Sequence, residues 1–180
     1  LTSFVGGGIM FLWINQQGTS PETAALLSNQ NFRQALNYGF DRSATVNAVN
    51  PGYKAYNRLV DSNFAGPGGG KFVDEYPVET APLSGDVDQA KEYLAAAMEE
   101  LGYSDVSQLP QLELITWDTS EQKLLLKTII DQWKQNLGLE NIQLTQYVIG
   151  TAIGSFYVLS YDLFSLTWET DVLPTDIMEA

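Results

Sequence analysis

Trp168, Glu169, Asp171 and Asp176 stand close together near the end of the sequence, in the stretch Tyr161–Asp176, YDLFSLTWETDVLPTD. Two carboxylates two residues apart on an extended chain share one strand face and lie roughly 6–7 Å apart. That spacing is loosely compatible with the acid pair of a glycoside hydrolase. Such pairs usually come from different strands, however, and one of the two acids needs a raised pKa. The run Tyr161, Leu163, Phe164 and Leu166 before them is apolar and β-prone. In open α/β sheets ligands gather outside the carboxyl ends of the strands, so an aromatic followed by acids just past such an end is a candidate site. The plainer alternative is a strand whose tail is a solvated turn, with Pro174 opening the next helix at its first position.

Composition narrows the chemistry. The 180 residues contain no histidine and no cysteine. That removes Ser-His-Asp and Cys-His catalysis, histidine and thiolate metal sites, and the usual proton shuttle at neutral pH. Any catalysis would rest on carboxylates, lysine or tyrosine. Twenty-two acidic against nine basic residues give a net charge of −13, which repels phosphate backbones and anionic membrane surfaces, so no nucleic acid is expected as a partner. The length suits one domain, or one lobe of a larger protein, with a real core. Because the sequence opens at Leu1 without a methionine or signal peptide and stops soon after Pro174, we expect an excised piece whose residues 1–180 form a single α/β lobe.

The elements that must position the acids follow in order. Ile9–Ile14 is an apolar run bounded by glycine and Asn15, suited to a buried strand and far too short to span a membrane. Ser20-Pro21-Glu22 is a helix start, with Ala24–Leu27 as a short helix. Phe32 to Tyr38 has helical spacing, and a further helix runs from Asp41 to about Val49. Residues 50–85 read as a long irregular stretch in which Tyr53, Tyr56, Phe64, Phe72 and Tyr76 staple a loop to the surface. The segment Gly66-Pro67-Gly68-Gly69-Gly70-Lys71 is one residue short of a phosphate loop, Phe72 replaces its Ser/Thr, and no strand precedes it. Asp86 to Leu101 is a helix stopped by Gly102, and 111–117 alternates as a strand. Asp118 and Glu121 look like the capping pair of a long helix that Gly138 closes. A strand at 141–148, a short helix at 149–156 and the strand 161–168 follow. Repeated strand–helix–strand units with right-handed crossovers imply a largely parallel sheet with helices on its faces.

Asn15 to Val49 resembles the peptide/dipeptide/nickel family of bacterial solute-binding proteins, whose members carry a strand ending in Asn followed by a pattern like "vRqAlnyAiDRe.iv". Arg33, Gln34, Ala35, Leu36, Asn37, Tyr38, Asp41 and Arg42 fit it, and Gly39 and Phe40 depart mildly. Asp88, Ala90, Lys91, Leu94 and Gly102 match a later helix motif of the family. Leu137-Gly138-Leu139 with Ile142-Gln143-Leu144 matches another, and Tyr161-Asp162, Trp168, Asp171 and Pro174 match a third. In the bland reading Asp41 caps a helix while Arg33 and Arg42 pair with nearby acids, so these residues mark the fold and not the ligand site.

The resemblance implies one lobe of a type II, class C periplasmic-binding-protein-like fold, a mostly parallel sheet flanked by helices. It implies the receptor of an ATP-driven (ABC) importer, working as a monomer with a membrane permease, outside the cell as a lipoprotein or in the periplasm. The ligand would be an extended oligopeptide added as a strand to an edge, with Thr167, Trp168 and Glu169 supplying backbone. Trp168 would form an apolar wall and Asp171 would grip the terminal ammonium. Ser165 stands where some members have arginine, so that contact is lost. No cofactor, metal or catalytic residue is implied. The alternatives are a receptor for a nickel complex, haem or a sugar, a carboxylate-dependent glycoside hydrolase, and a module that docks a protein partner. The missing histidine weighs against nickel and haem.

Overall fold

The computed structural model describes residues 8–50, 52–58 and 64–169, with the side chains of all of these but 8, 9 and 166–169. In chain order the elements are β1 (Gly8–Ile14), α1 (Pro21–Ser28), α2 (Gln30–Tyr38), α3 (Arg42–Val49), α4 (Phe72–Glu75), α5 (Val87–Leu101), β2 (Leu112–Trp117), α6 (Ser120–Leu137), β3 (Ile142–Tyr147), α7 (Ile149–Tyr157) and β4 (Leu163–Glu169). Contacts divide the chain into two compact units, one of Leu1–Phe11, Asn57–Thr80 and Leu166–Ala180, the other of Leu12–Tyr56 and Ala81–Ser165.

The helix boundaries follow local chemistry. Ser20 accepts from the backbone of Thr23 at 3.2 Å while Thr23 accepts from the backbone of Ser20 at 3.0 Å, and Pro21 fills the first helical position. Asp41 caps α3 through Ala44 N at 2.7 Å, and Asp86 caps α5 through Gln89 N at 3.0 Å. Gly102 and Gly138 take left-handed backbone and end α5 and α6. One cap differs from the sequence reading. Thr119, not Asp118, precedes α6 and accepts from Gln122 N at 3.2 Å. A threonine hydroxyl caps nearly as well as a carboxylate, and Asp118 is still bound to the sheet, its N–H donating to Tyr147 O at 2.8 Å.

The sheet order is β1-β4-β2-β3. β2 pairs parallel with β3 from Leu112↔Ile142 to Trp117↔Tyr147, and parallel with β4 at Leu114↔Leu163 and Ile115↔Phe164. β1 runs the other way, because Asn15 N, just past its end, donates to Asp162 O, just before the start of β4, at 2.9 Å. The sheet is therefore mixed. It also places β4 between β1 and β2 instead of at an edge, which corrects the expectation of an edge strand at Thr167–Glu169. The crossovers β2–α6–β3 and β3–α7–β4 step in opposite directions across the sheet, so right-handed connections put α6 and α7 on opposite faces. Ser165 Oγ meets Gln122 Oε1 of α6 at 3.3 Å, whereas the neighbouring Phe164 ring meets Phe156 of α7 at 5.1 Å.

The core of the larger unit lies on the α6 face. Leu26, Leu27, Phe32, Leu36, Leu94, Leu126 and Trp133 are buried there. Trp133, with no exposed surface, donates Nε1–H to Leu36 O at 2.8 Å and meets Phe40 edge-on at 6.0 Å. Arg33 donates to Leu27 O and Ser28 O at the end of α1. Arg42 donates to Asn37 and lies 4.3 Å over the Phe40 ring. These contacts replace the acid pairs expected from sequence, since orphan carbonyls at helix ends are ready acceptors for a guanidinium.

In the smaller unit the glycine-rich loop closes on itself. Ala65 bridges Lys71, and Gly68 N and Gly70 N each donate to the Glu75 carboxylate at 2.8 Å. A Cβ on Gly66 would lie 2.3 Å from the Glu75 carboxyl carbon and displace that side chain from its amides, and Gly69 has φ +87°, a backbone that favours glycine. Phe72 and Tyr76 pack ring to ring at 4.9 Å, and Asn57 donates to Thr80 at 3.1 Å.

Two outcomes test this packing. Trp133→Phe removes the donor to Leu36 O and part of the core volume, and should lower unfolding free energy by about 2 kcal/mol in a denaturant titration. Glu75→Ala should speed amide exchange at Gly68 and Gly70 at least about tenfold, with global stability changed by less than about 1 kcal/mol.

Candidate functional site

β4 starts from a buried carboxylate. Asp162 is 2 % exposed. Its Oδ1 accepts from Thr19 N and Thr19 Oγ1, both at 2.9 Å, and its Oδ2 accepts from Glu113 N at 3.0 Å. Its carbonyl takes the N–H of Asn15. The Asn15 side chain then donates to Leu159 O at 3.1 Å and Tyr161 O at 2.9 Å, and accepts from Gln17 N at 3.1 Å. The last contact network explains an uncommon backbone. Leu159 has φ +55°, a conformation a leucine rarely adopts, and the Asn15 amide holds its carbonyl. Sequence comparison singled out the Asn at the end of β1 and the Tyr-Asp before β4 as separate motifs. In the fold they are one cluster that fixes the starts of β2 and β4 and the end of β1.

An aromatic wall backs this cluster on the α7 face. Phe156 contacts Trp13 at 5.6 Å, Tyr161 at 5.7 Å in a stacked pair, and Phe164 at 5.1 Å. Burial pushes the Tyr161 phenol above its ordinary pKa, so the ring stays neutral over the physiological range. With its start held on both sides, β4 is a rigid element along its first residues. Ser165 is fully buried against Gln122 on the opposite face.

Beyond the Ile115↔Phe164 pair the two parallel strands differ in length. β2 ends two residues later at Trp117, whereas β4 runs five residues further to Glu169. Thr167, Trp168 and Glu169 therefore exceed what β2 has residues to pair with. All three are extended backbone of β4. Asp171, Pro174 and Asp176 lie outside the described residues, and with Asp171 goes the spacing of the Glu169–Asp171 pair. The loop aromatics take different roles: Glu121, in the first turn of α6, holds the Tyr53 phenol above its ordinary pKa, while Phe72 and Tyr76 contact each other. Among the described residues no group of three or more acidic side chains is placed to hold a metal. The amides of the glycine loop are taken up by Glu75, so the loop serves an internal carboxylate.

The role of Asp162 was the part sequence reasoning left unassigned. An acid inside the apolar run Tyr161-Asp162-Leu163-Phe164 was the available signal, since a charge is buried only when its oxygens are satisfied. Asp162→Asn keeps the shape but turns one acceptor into a donor facing an N–H. We expect a loss of about 3 kcal/mol in denaturant unfolding, against about 1 kcal/mol for Thr19→Val. A loss below about 1 kcal/mol for Asp162→Asn would remove the cluster from its structural role.

Comparison with known proteins places this architecture. A sequence model of the bacterial extracellular solute-binding proteins, family 5, middle region, matches residues 2–177. The oligopeptide-binding protein OppA of Bacillus subtilis (strain 168) is 28 % identical over 149 residues, which cover 81 % of this chain and 25 % of that protein. Among solved structures, Listeria monocytogenes OppA bound to peptide superposes with a TM-score of 0.83 at 21 % identity, over 97 % of this chain and 33 % of that one. The pheromone receptor PrgZ, solved with its mode of peptide binding, gives 0.76 at 23 % identity over 98 % and 33 %. The chain thus spans a quarter to a third of the length of these relatives. Its mixed sheet with helices on both faces is the lobe architecture of periplasmic binding proteins, and the chain belongs to the bacterial extracellular solute-binding proteins of family 5.

Proposed function

We propose that the protein carrying this chain captures extended oligopeptides outside the cell and hands them to the membrane permease of an ABC importer. The observation that carries the reading is the length of β4 past β2. Thr167, Trp168 and Glu169 continue the strand where β2 has run out of residues, so among the described residues β2 supplies no partner on that side, and the N–H and C=O groups of Thr167 and Glu169 suit an added strand there. Recognition through N–H and C=O groups is blind to side chains, which is what a receptor for many peptides requires. This modifies the expectation from sequence: strand addition occurs at an overhang of an inner strand, not along a sheet edge.

Within this reading Asp171 grips the peptide's terminal ammonium and Trp168 forms an apolar wall beside the first residues. A desolvated ammonium–carboxylate hydrogen bond contributes about 1.5–3 kcal/mol, or roughly tenfold to a hundredfold in affinity. The carboxylates near Trp168 are binding groups here and not a catalytic pair, in line with the named relatives, which are peptide-binding proteins and receptors. Ser165, buried and bonded to Gln122, takes no part in the ligand site. The whole receptor would act as a monomer anchored by lipid or free in the periplasm, its second lobe closing over the peptide.

The test is calorimetry of a degenerate pool of short peptides with the full-length parent, identifying bound species by mass spectrometry. Asp171→Ala, or acetylation of the peptide N-terminus, should weaken binding at least about tenfold. Peptide binding that ignores both changes would leave the receptor in place and move the ammonium site elsewhere. Binding of a metal complex, haem or sugar with no peptide bound would overturn the ligand class.

A further inference from the structure

α7 is a poor helix by its own sequence. Ile149–Tyr157 has nine residues, too few to stay helical unaided in water, and Gly150 and Gly154 are among its weakest helix formers. Its N-cap residue, Val148, makes no side-chain capping bond. Packing holds one side of it. Ala152 is fully buried, and Phe156 meets Trp13, Tyr161 and Phe164. On the other side Ile149, Ile153 and Tyr157 stand exposed at four-residue steps and form a ridge, with Gly150 and Gly154 as the groove beside it. A Cβ at either glycine would meet nothing within 4 Å, and neither glycine has a positive φ. Neither the local backbone nor any described neighbour therefore calls for glycine at these two positions.

The composition of this side points the same way. Of the eleven large apolar side chains exposed among the described residues, six fall within residues 148–159: Val148, Ile149, Ile153, Tyr157, Val158 and Leu159. No charged residue stands between Glu140 and Asp162. Surfaces for reversible docking keep a polar rim, whereas a permanent interface reads like a core cut in half. α7 is of the second kind. At nine residues it is only about 14 Å long, too short to supply the roughly 800 Å² per partner of a stable complex between separate molecules. A segment of the same polypeptide needs no such area, because the covalent link already removes most of the cost of association.

We propose that the exposed side of α7 is an interior surface of the whole protein, covered by a helix from the part of the polypeptide outside residues 1–180. The relatives leave ample chain for such a helix, since this chain spans a quarter to a third of their length. The covering helix seats a row of its side chains in the Gly150–Gly154 groove and packs against the ridge of Ile149, Ile153 and Tyr157, ridge into groove. With no Cβ on that flank, the two helix axes approach more closely than larger residues would allow. The two glycines, the missing charges and the exposed apolar ridge then have one cause. The inference concerns α7 alone and does not rest on the peptide reading of β4.

Hydroxyl-radical footprinting of the full-length parent, read at Tyr157 and compared with the denatured parent, tests this. Tyr157 is 75 % exposed within this chain, so without a cover it should react nearly as fast as in the denatured protein. Under the covering helix it should react at least about tenfold more slowly, at every protein concentration. Gly154→Leu gives opposite signs in the two cases. On a bare helix leucine raises the Tm through its better helix propensity, whereas under a packed helix it overfills the groove. We expect the Tm of the parent to fall by at least about 2 °C. The footprint uses the unaltered protein, so it decides even where the variant does not fold. Tyr157 as reactive as in the denatured parent overturns the proposal, as does a raised Tm in Gly154→Leu. Protection that grows with protein concentration, or that needs membranes carrying the permease, also overturns it by assigning the cover to another molecule.

Discussion

One buried carboxylate organises the larger unit. Asp162 has lost nearly all its water, and an isolated ionised carboxyl in that position would cost several kcal/mol. Three donors offset this: Thr19 N, Thr19 Oγ1 and Glu113 N. The donors come from the turn before α1 and from β2, and the neighbouring carbonyl holds Asn15 at the end of β1. The carboxylate is satisfied only when the turn before α1 and the start of β2 both reach it. The start of β4 is thereby tied to β2, while Asn15 sets its direction against β1 and holds the carbonyl of Leu159.

Much of the fold was legible in local chemistry. Ser20-Pro21, Asp41 and Asp86 start helices where their side chains reach the next turn's amides, and Gly102 and Gly138 end them. These signals act within four residues, so one sequence suffices to read them. The strands were legible for the same reason, as short apolar runs between breakers. What escaped were pairings between residues far apart in sequence. Nothing in Gly8–Ile14 says that it lies antiparallel to β4, because a buried strand looks alike in either direction. Nor does the sequence tell that β4 is flanked on both sides, or that Arg33 and Arg42 find helix-end carbonyls before they find acids. The glycine loop is a middle case. Its glycines were visible as an anion-binding pattern lacking a phosphate site, and the anion proves to be Glu75, five residues past the last of them.

The candidate site was legible only through likeness to a family. Trp168 and the acids after it have two physical readings, and residue type alone does not choose between them. Membership of the family 5 solute-binding proteins favours the binding reading. The root of the strand is held by Asp162 and Asn15 and backed by Phe156 and Tyr161.

The most direct measurement of this account is amide hydrogen exchange of the full-length parent, with and without a bound peptide, resolved to single residues on β4. The account predicts that Thr167 and Glu169, whose N–H groups face the side of β2, slow on peptide binding, while Thr19 and Glu113, already bonded to Asp162, are equally slow in both states. Saturating peptide with no change at Thr167 and Glu169 would contradict it, because a peptide strand would then be pairing somewhere other than the end of β4.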